Sequence, residues 1–129
     1  MQKTTIHIYR QYLQHISDYF FPQLIIFKNS AVIHAKSFGE TSNEFLNAVI
    51  VSTHINDLNR YFKKRLLDTT KPSITLQLTE AEIVVLYKVF FNLGIAREKT
   101  YDLLVRQDFI NRLYEQLFII ASLTTVQRN

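Results

Sequence analysis

Cysteine is absent from the 129-residue chain, which removes disulfide staples, thiolate-held zinc, iron–sulfur ligation and thiol nucleophiles together. The core must hold the fold by packing alone. Glycine and proline occur only twice each, so tight turns are few, and loops that cradle phosphate, which need more glycine, are not available. Tryptophan is also missing, and the 13% aromatic content comes from ten Phe and seven Tyr. Long hydrophobic runs are absent too: Leu24–Phe27, Ala48–Val51, Ile83–Tyr87 and Leu117–Ala121 are the longest, far below the roughly 18 residues of a membrane span. Met1 to His7 lacks the apolar region of a signal peptide. These absences predict a cytoplasmic protein with a single helical domain over residues 1–129.

What the chain does have is periodicity. At Leu78-Thr79-Glu80-Ala81-Glu82-Ile83, Thr79 is placed to cap a helix and Glu82 to reach back to it, with Leu78 and Ile83 as the hydrophobic staple. Ile83, Leu86, Phe90 and Leu93 continue one helical face, and Gly94 is suited to end it. Upstream, Thr41 or Ser42 can cap a helix running to about Leu67, with Ala48, Val51, Ile55, Leu58, Phe62 and Leu66 in one stripe. Because Phe45 to Val51 is apolar on nearly every side, this helix is expected to start deep in the core and to emerge at its charged end. After Gly94, Leu103, Ile110, Leu113, Leu117 and Ile120 predict a helix of about seven turns, with Asp108 available to cap a restart near Gln107.

In the N-terminal third, Ile6, Tyr9, Leu13, Ile16 and Phe20 recur at helical spacing. Pro22 stands where one helix would stop and another begin, and Gly39 where the second would end. The competing assignment makes Leu24–Phe27 and Ala31–Lys36 a β-hairpin around Lys28-Asn29-Ser30. Ser73 to Leu78 alternates apolar and polar after Pro72 and is either an extended connector or a strand pairing with that hairpin. The fold class expected is all-α, a four- or five-helix bundle with one short extended segment near 73–78. The alternative is α+β with a small hairpin at 24–36.

Charge is concentrated. Leu58 to Lys71 holds Arg60, Lys63, Lys64, Arg65 and Lys71 against Asp68, a balance equal to the net +4 of the whole chain. This segment is the candidate site for a polyanion or an acidic partner, with Tyr61 beside it as an aromatic able to stack on a base. Its position also suits a solvated helix C-terminus, where cations complement the helix dipole. A helix-turn-helix over Thr79 to Leu117 is disfavoured, because Glu98, Asp102, Asp108 and Glu115 would repel a phosphate backbone.

Catalytic motifs are lacking. Neither glycine lies in a Gly-x-Ser-x-Gly pattern. His15 with Asp18 and His54 with Asp57 form two His-x-x-Asp pairs at helical spacing, the basis of a metal-binding bundle as the less favoured alternative. His7 and His34 stand alone. No catalytic residue, no cofactor and no small-molecule substrate are assigned. Bulky residues occur on more than one face at Tyr9, Tyr12, Tyr19, Phe20 and Phe21 and again at Phe118, Ile119 and Ile120. They predict packing against another chain. The expected function is a non-enzymatic helical interaction, adaptor or regulatory module that docks a protein partner and self-associates as a homodimer. The alternative is nucleic-acid binding through the basic face.

Overall fold

A computed structural model describes residues 3–93 and 98–128, the last six of them as backbone only. The chain is predominantly helical with one two-stranded sheet, the all-α architecture that the periodicity predicts. Its elements are β1 (Lys3–Tyr9), α1 (Arg10–His15), a π-helical segment (Ile16–Phe20), α2 (Phe21–Ala35), a 3-10 turn (Lys36–Phe38), α3 (Asn43–Asp68), β2 (Ser73–Thr79), α4 (Glu80–Phe91) and α5 (Thr100–Arg128).

The N-terminus departs from the expected helix. Residues 3–9 form a strand antiparallel to β2, in a register that sets Ile6 against Leu76 and Ile8 against Ile74. Thr4, Thr5, Ile6 and Ile8 are β-branched, and their alternation puts Ile6 and Ile8 on the buried face together with Ile74, Leu76 and Leu78. The helical spacing of Ile6 and Tyr9 with Leu13 is a coincidence across the strand-to-helix junction. Segment 73–78 is a strand, but its partner is residues 3–9. The alternative hairpin at 24–36 is instead helix α2.

Both edges of this small sheet exchange hydrogen bonds with side chains of neighbouring helices. On the β2 side, the Tyr61 hydroxyl accepts the Gln77 N–H at 2.8 Å, and Arg65 Nε donates to the Thr75 carbonyl at 3.0 Å. On the β1 side, Arg112 donates to the His7 carbonyl at 2.8 Å and lies 5.4 Å from the Tyr9 ring centre. Arg10 joins the sheet to α3. Its backbone N–H bonds the Pro72 carbonyl at 2.7 Å, and its guanidinium donates to the carbonyls of Thr69 and, at 2.7 Å, Leu66. These are carbonyls that the end of α3 leaves without helical partners.

Pro22 explains the π segment. It has no N–H, and in a regular helix its ring would press on the Asp18 carbonyl four residues back. The chain widens by one residue, so that the Phe21 N–H reaches the Ile16 carbonyl. Gln23 Nε2 donates to the Tyr19 carbonyl at 2.9 Å. One continuous helical run, Arg10 to Ala35, therefore passes the proline. Its end is marked by the 3-10 turn and by Gly39 at φ 107°, in the left-handed region that favours glycine.

The two strongest boundary signals hold. Ser42 caps α3 by accepting the Phe45 N–H, and Thr79 and Glu82 form the complete capping box of α4. Ile83, Leu86, Phe90 and Leu93 all face the core. Gly94 lies outside the described residues. Helix α5 is unbroken from Thr100, and Asp108 forms an ion pair with Arg112 at 2.7 Å rather than capping a new start. The buried face of α5 carries Val105, Phe109, Ile110 and Leu113, whereas Leu103 is exposed. Phe20, Phe21, Phe62, Phe90 and Phe109 meet edge-to-face at the centre, with ring centres 5.0 to 6.3 Å apart.

Replacing Arg10 by Ala removes two charged hydrogen bonds to helix-end carbonyls. The expected loss is about 2 kcal/mol of unfolding free energy, read by urea titration, against no change for Lys71→Ala in the exposed linker before β2.

Candidate partner-docking surface

Helix α3 reverses the expected polarity of burial. Its buried residues are Ser52, Ile55, Leu58, Phe62 and Leu66, all in the later part, while Leu46 and Ile50 near its start are 47% and 54% exposed. The apolar first half does not begin in the core. It pairs with the second half of α2 in a helical hairpin, residues 25–51, an arm whose base packs on the core through Ile25 and Val51. Asn29 and Ser52 join its two helices by a hydrogen bond of 3.3 Å.

This arm carries Ile26, Phe27, Ile33, Phe38, Leu46 and Ile50, six of the large apolar side chains that the described structure leaves exposed. Between the arm and α4 runs a cleft of about 660 Å³, within the roughly 300–1,000 Å³ typical of binding pockets. Leu24, Phe27, Lys28 and Ala31 of α2 form one wall, Asn47, Ala48 and Val51 of α3 another, and Val84, Val85, Lys88, Val89 and Asn92 the third, closed by Leu93. The lining is mainly apolar and includes two lysines but no carboxylate, histidine or hydroxyl. Its ionisable side chains are Lys28 and Lys88.

The five predicted basic residues do not all face solvent. Arg65 lies against the sheet, bonded to Thr75 and 3.7 Å from Asp68, and Tyr61 is bonded to β2. Arg60 lies 3.7 Å from Asp57. Lys63, Lys64 and Lys71 stay exposed. Nor does the structure assemble either metal pair. His15 turns away from Asp18, which accepts from Gln14 instead, and Asp57 faces Arg60. Among the described residues no group of three or more His, Asp or Glu is placed to hold a metal, and no helix is long and apolar enough to cross a membrane.

His15 has a partner that the sequence did not suggest. Its Nε2 lies 2.7 Å from Asp102 Oδ1, and Asp102 Oδ2 accepts the Lys99 N–H at 2.9 Å. The imidazole stacks on Tyr19 and meets Tyr101 and Phe20 at steep angles. Asp102 is 5% exposed. Burial pushes its carboxyl up, but the Lys99 N–H, His15 and the Tyr19 hydroxyl outweigh that and hold it below the usual carboxylate range. Glu98 and Arg106, joined by two hydrogen bonds of 2.8 and 3.0 Å, fasten the same end of α5. Both pairs anchor helices. The bulky N-terminal aromatics belong to this packing as well: Phe20 and Phe21 are buried and Tyr12 and Tyr19 lie against the core, whereas Phe118 and Ile119 are exposed.

No family model, curated protein or solved structure matches this chain.

Because its carboxyl is depressed in the fold, Asp102 stabilises the protein above the pKa of an unfolded Asp, about 3.9. That contribution disappears as pH falls through the lower folded value. Asp102→Asn is expected to lose about 2 kcal/mol at neutral pH and to show a shallower loss of stability below pH of about 4 than the wild type, as measured by denaturation across pH. Arg65→Ala is expected to lose about 1 kcal/mol in the same titration, whereas Lys63→Glu with Lys64→Glu changes it by less than about 0.5 kcal/mol.

Proposed function

We propose that this protein is a non-enzymatic helical interaction module that docks a macromolecular partner in the cleft between the α2–α3 arm and α4. The observation that carries this reading is an open, mainly apolar cleft in which Phe27 and Val84 remain exposed, beside an arm that also exposes Ile26, Ile33, Phe38, Leu46 and Ile50. Docking there removes from water surface that folding has left in it. The α4 wall from Val84 to Asn92 spans about 12 Å at the helical rise, a length over which an amphipathic helix presents anchors at i, i+4 and i+7. Lys28 and Lys88 favour an occupant with acidic residues beside its apolar ones.

Two comparisons of chemistry support a docking role over a catalytic one. The imidazole and the carboxylate that lie together, His15 and Asp102, are engaged with each other and with the start of α5. The basic end of α3 gives Arg65 and Tyr61 to the sheet and leaves Arg60, Lys63, Lys64 and Lys71 exposed, a modest footprint for nucleic acid, where affinity grows with the number of phosphate contacts.

A photoreactive amino acid in place of Val85, introduced in the expressing cell, is expected to give one discrete covalent adduct on illumination, and the same residue in place of Lys64 none. The absence of an adduct at 85, or equal labelling at 64, defeats the docking reading.

A further inference from the structure

We infer that the occupant of the cleft is the arm tip of a second copy of this chain, so that two molecules clasp each other reciprocally. The inference rests on the docking reading above and names its partner.

Charge is the first argument. The cleft presents Lys28 and Lys88 with no acid in its lining. The tip of the arm carries Glu40 and Glu44 among exposed Ile33, Phe38 and Leu46. Glu40 lies 3.5 Å from Lys36, and Glu44 makes no ion pair among the described residues. The chain thus contains both halves of a match, an apolar hairpin end with excess negative charge and an apolar cleft with only positive charge.

Coverage is the second. A single foreign helix lying in the cleft would shield Phe27 but leave Ile33 and Phe38 at the tip in water. In a reciprocal clasp each tip enters the other molecule's cleft while the two arms lie side by side, so the tip, the cleft and the outer residues Ile26 and Ile50 are covered in one step. The same patch serves on both molecules, which gives the closed two-fold arrangement commonest among soluble oligomers. The cleft lies against the arm itself, so no element has to unfold to reach it.

Light scattering on the purified full chain is expected to give twice the 15.2 kDa chain mass. Glu44→Lys alone and Lys28→Glu with Lys88→Glu are each expected to weaken the dimer by about tenfold or more, while all three substitutions in one chain restore it. Phe38→Asp, at an exposed position, should give a monomer with an unchanged circular dichroism spectrum. A monomeric wild type, or a dimer indifferent to these substitutions, overturns the clasp. The Val85 photoadduct separates the two levels of the argument. A mass of two chains supports the clasp, an adduct of one chain with a different protein overturns it while docking stands, and no adduct removes both.

Discussion

The pairing of β1 with β2 is the constraint on which the rest depends. It brings residues 3–9 against residues 73–79, so everything between them, α1 through α3, is one excursion that must leave the sheet and return to it. Arg10 secures both ends of that excursion, because it follows β1 directly and holds the carbonyls of Leu66, Thr69 and Pro72 where α3 gives way to β2. The hydrophobic face of the sheet then forms one side of the core, over which the five central phenylalanines pack. With the two ends of the excursion pinned at the sheet, α2 and α3 run out and back, and the turn between them, 36–42, holds no buried residue.

Local chemistry was legible wherever one residue settles a boundary. Ser42, Thr79 with Glu82, and Gly39 mark helix ends through groups that act within three or four residues, and each does so in the structure. Strand β1 was not legible, because Ile6, Tyr9 and Leu13 satisfy a helical period by accident while the alternation of residues 3–9 is short. The pairing that decides the matter spans some seventy residues of sequence. The alternation at 73–78 was visible, but its partner was not.

Burial and side-chain partners were less legible for a related reason. Periodicity reports which residues are apolar, not which of them the core has room for. Phe45 to Val51 is the most apolar part of α3, yet none of it is fully buried: Leu46 and Ile50 face solvent, and Ala48 and Val51 line an open cleft. Arg65 and Tyr61 looked like polyanion ligands, although a strand edge nearby lacked hydrogen-bond partners and took them. His15 has Asp18 at helical spacing in sequence, but its partner, Asp102, is 87 positions away. In each case composition identified an unusual residue, and only tertiary placement told what it meets.

The side chains bonded to both strand edges limit how this chain can associate with others. An uncovered edge is a template for adding a further strand, the route to fibrils and to peptide recruitment by sheet extension. Here Arg65, Tyr61 and Arg112 occupy outward-facing backbone groups at Thr75, Gln77 and His7. A strand added along either edge would have to displace these side chains.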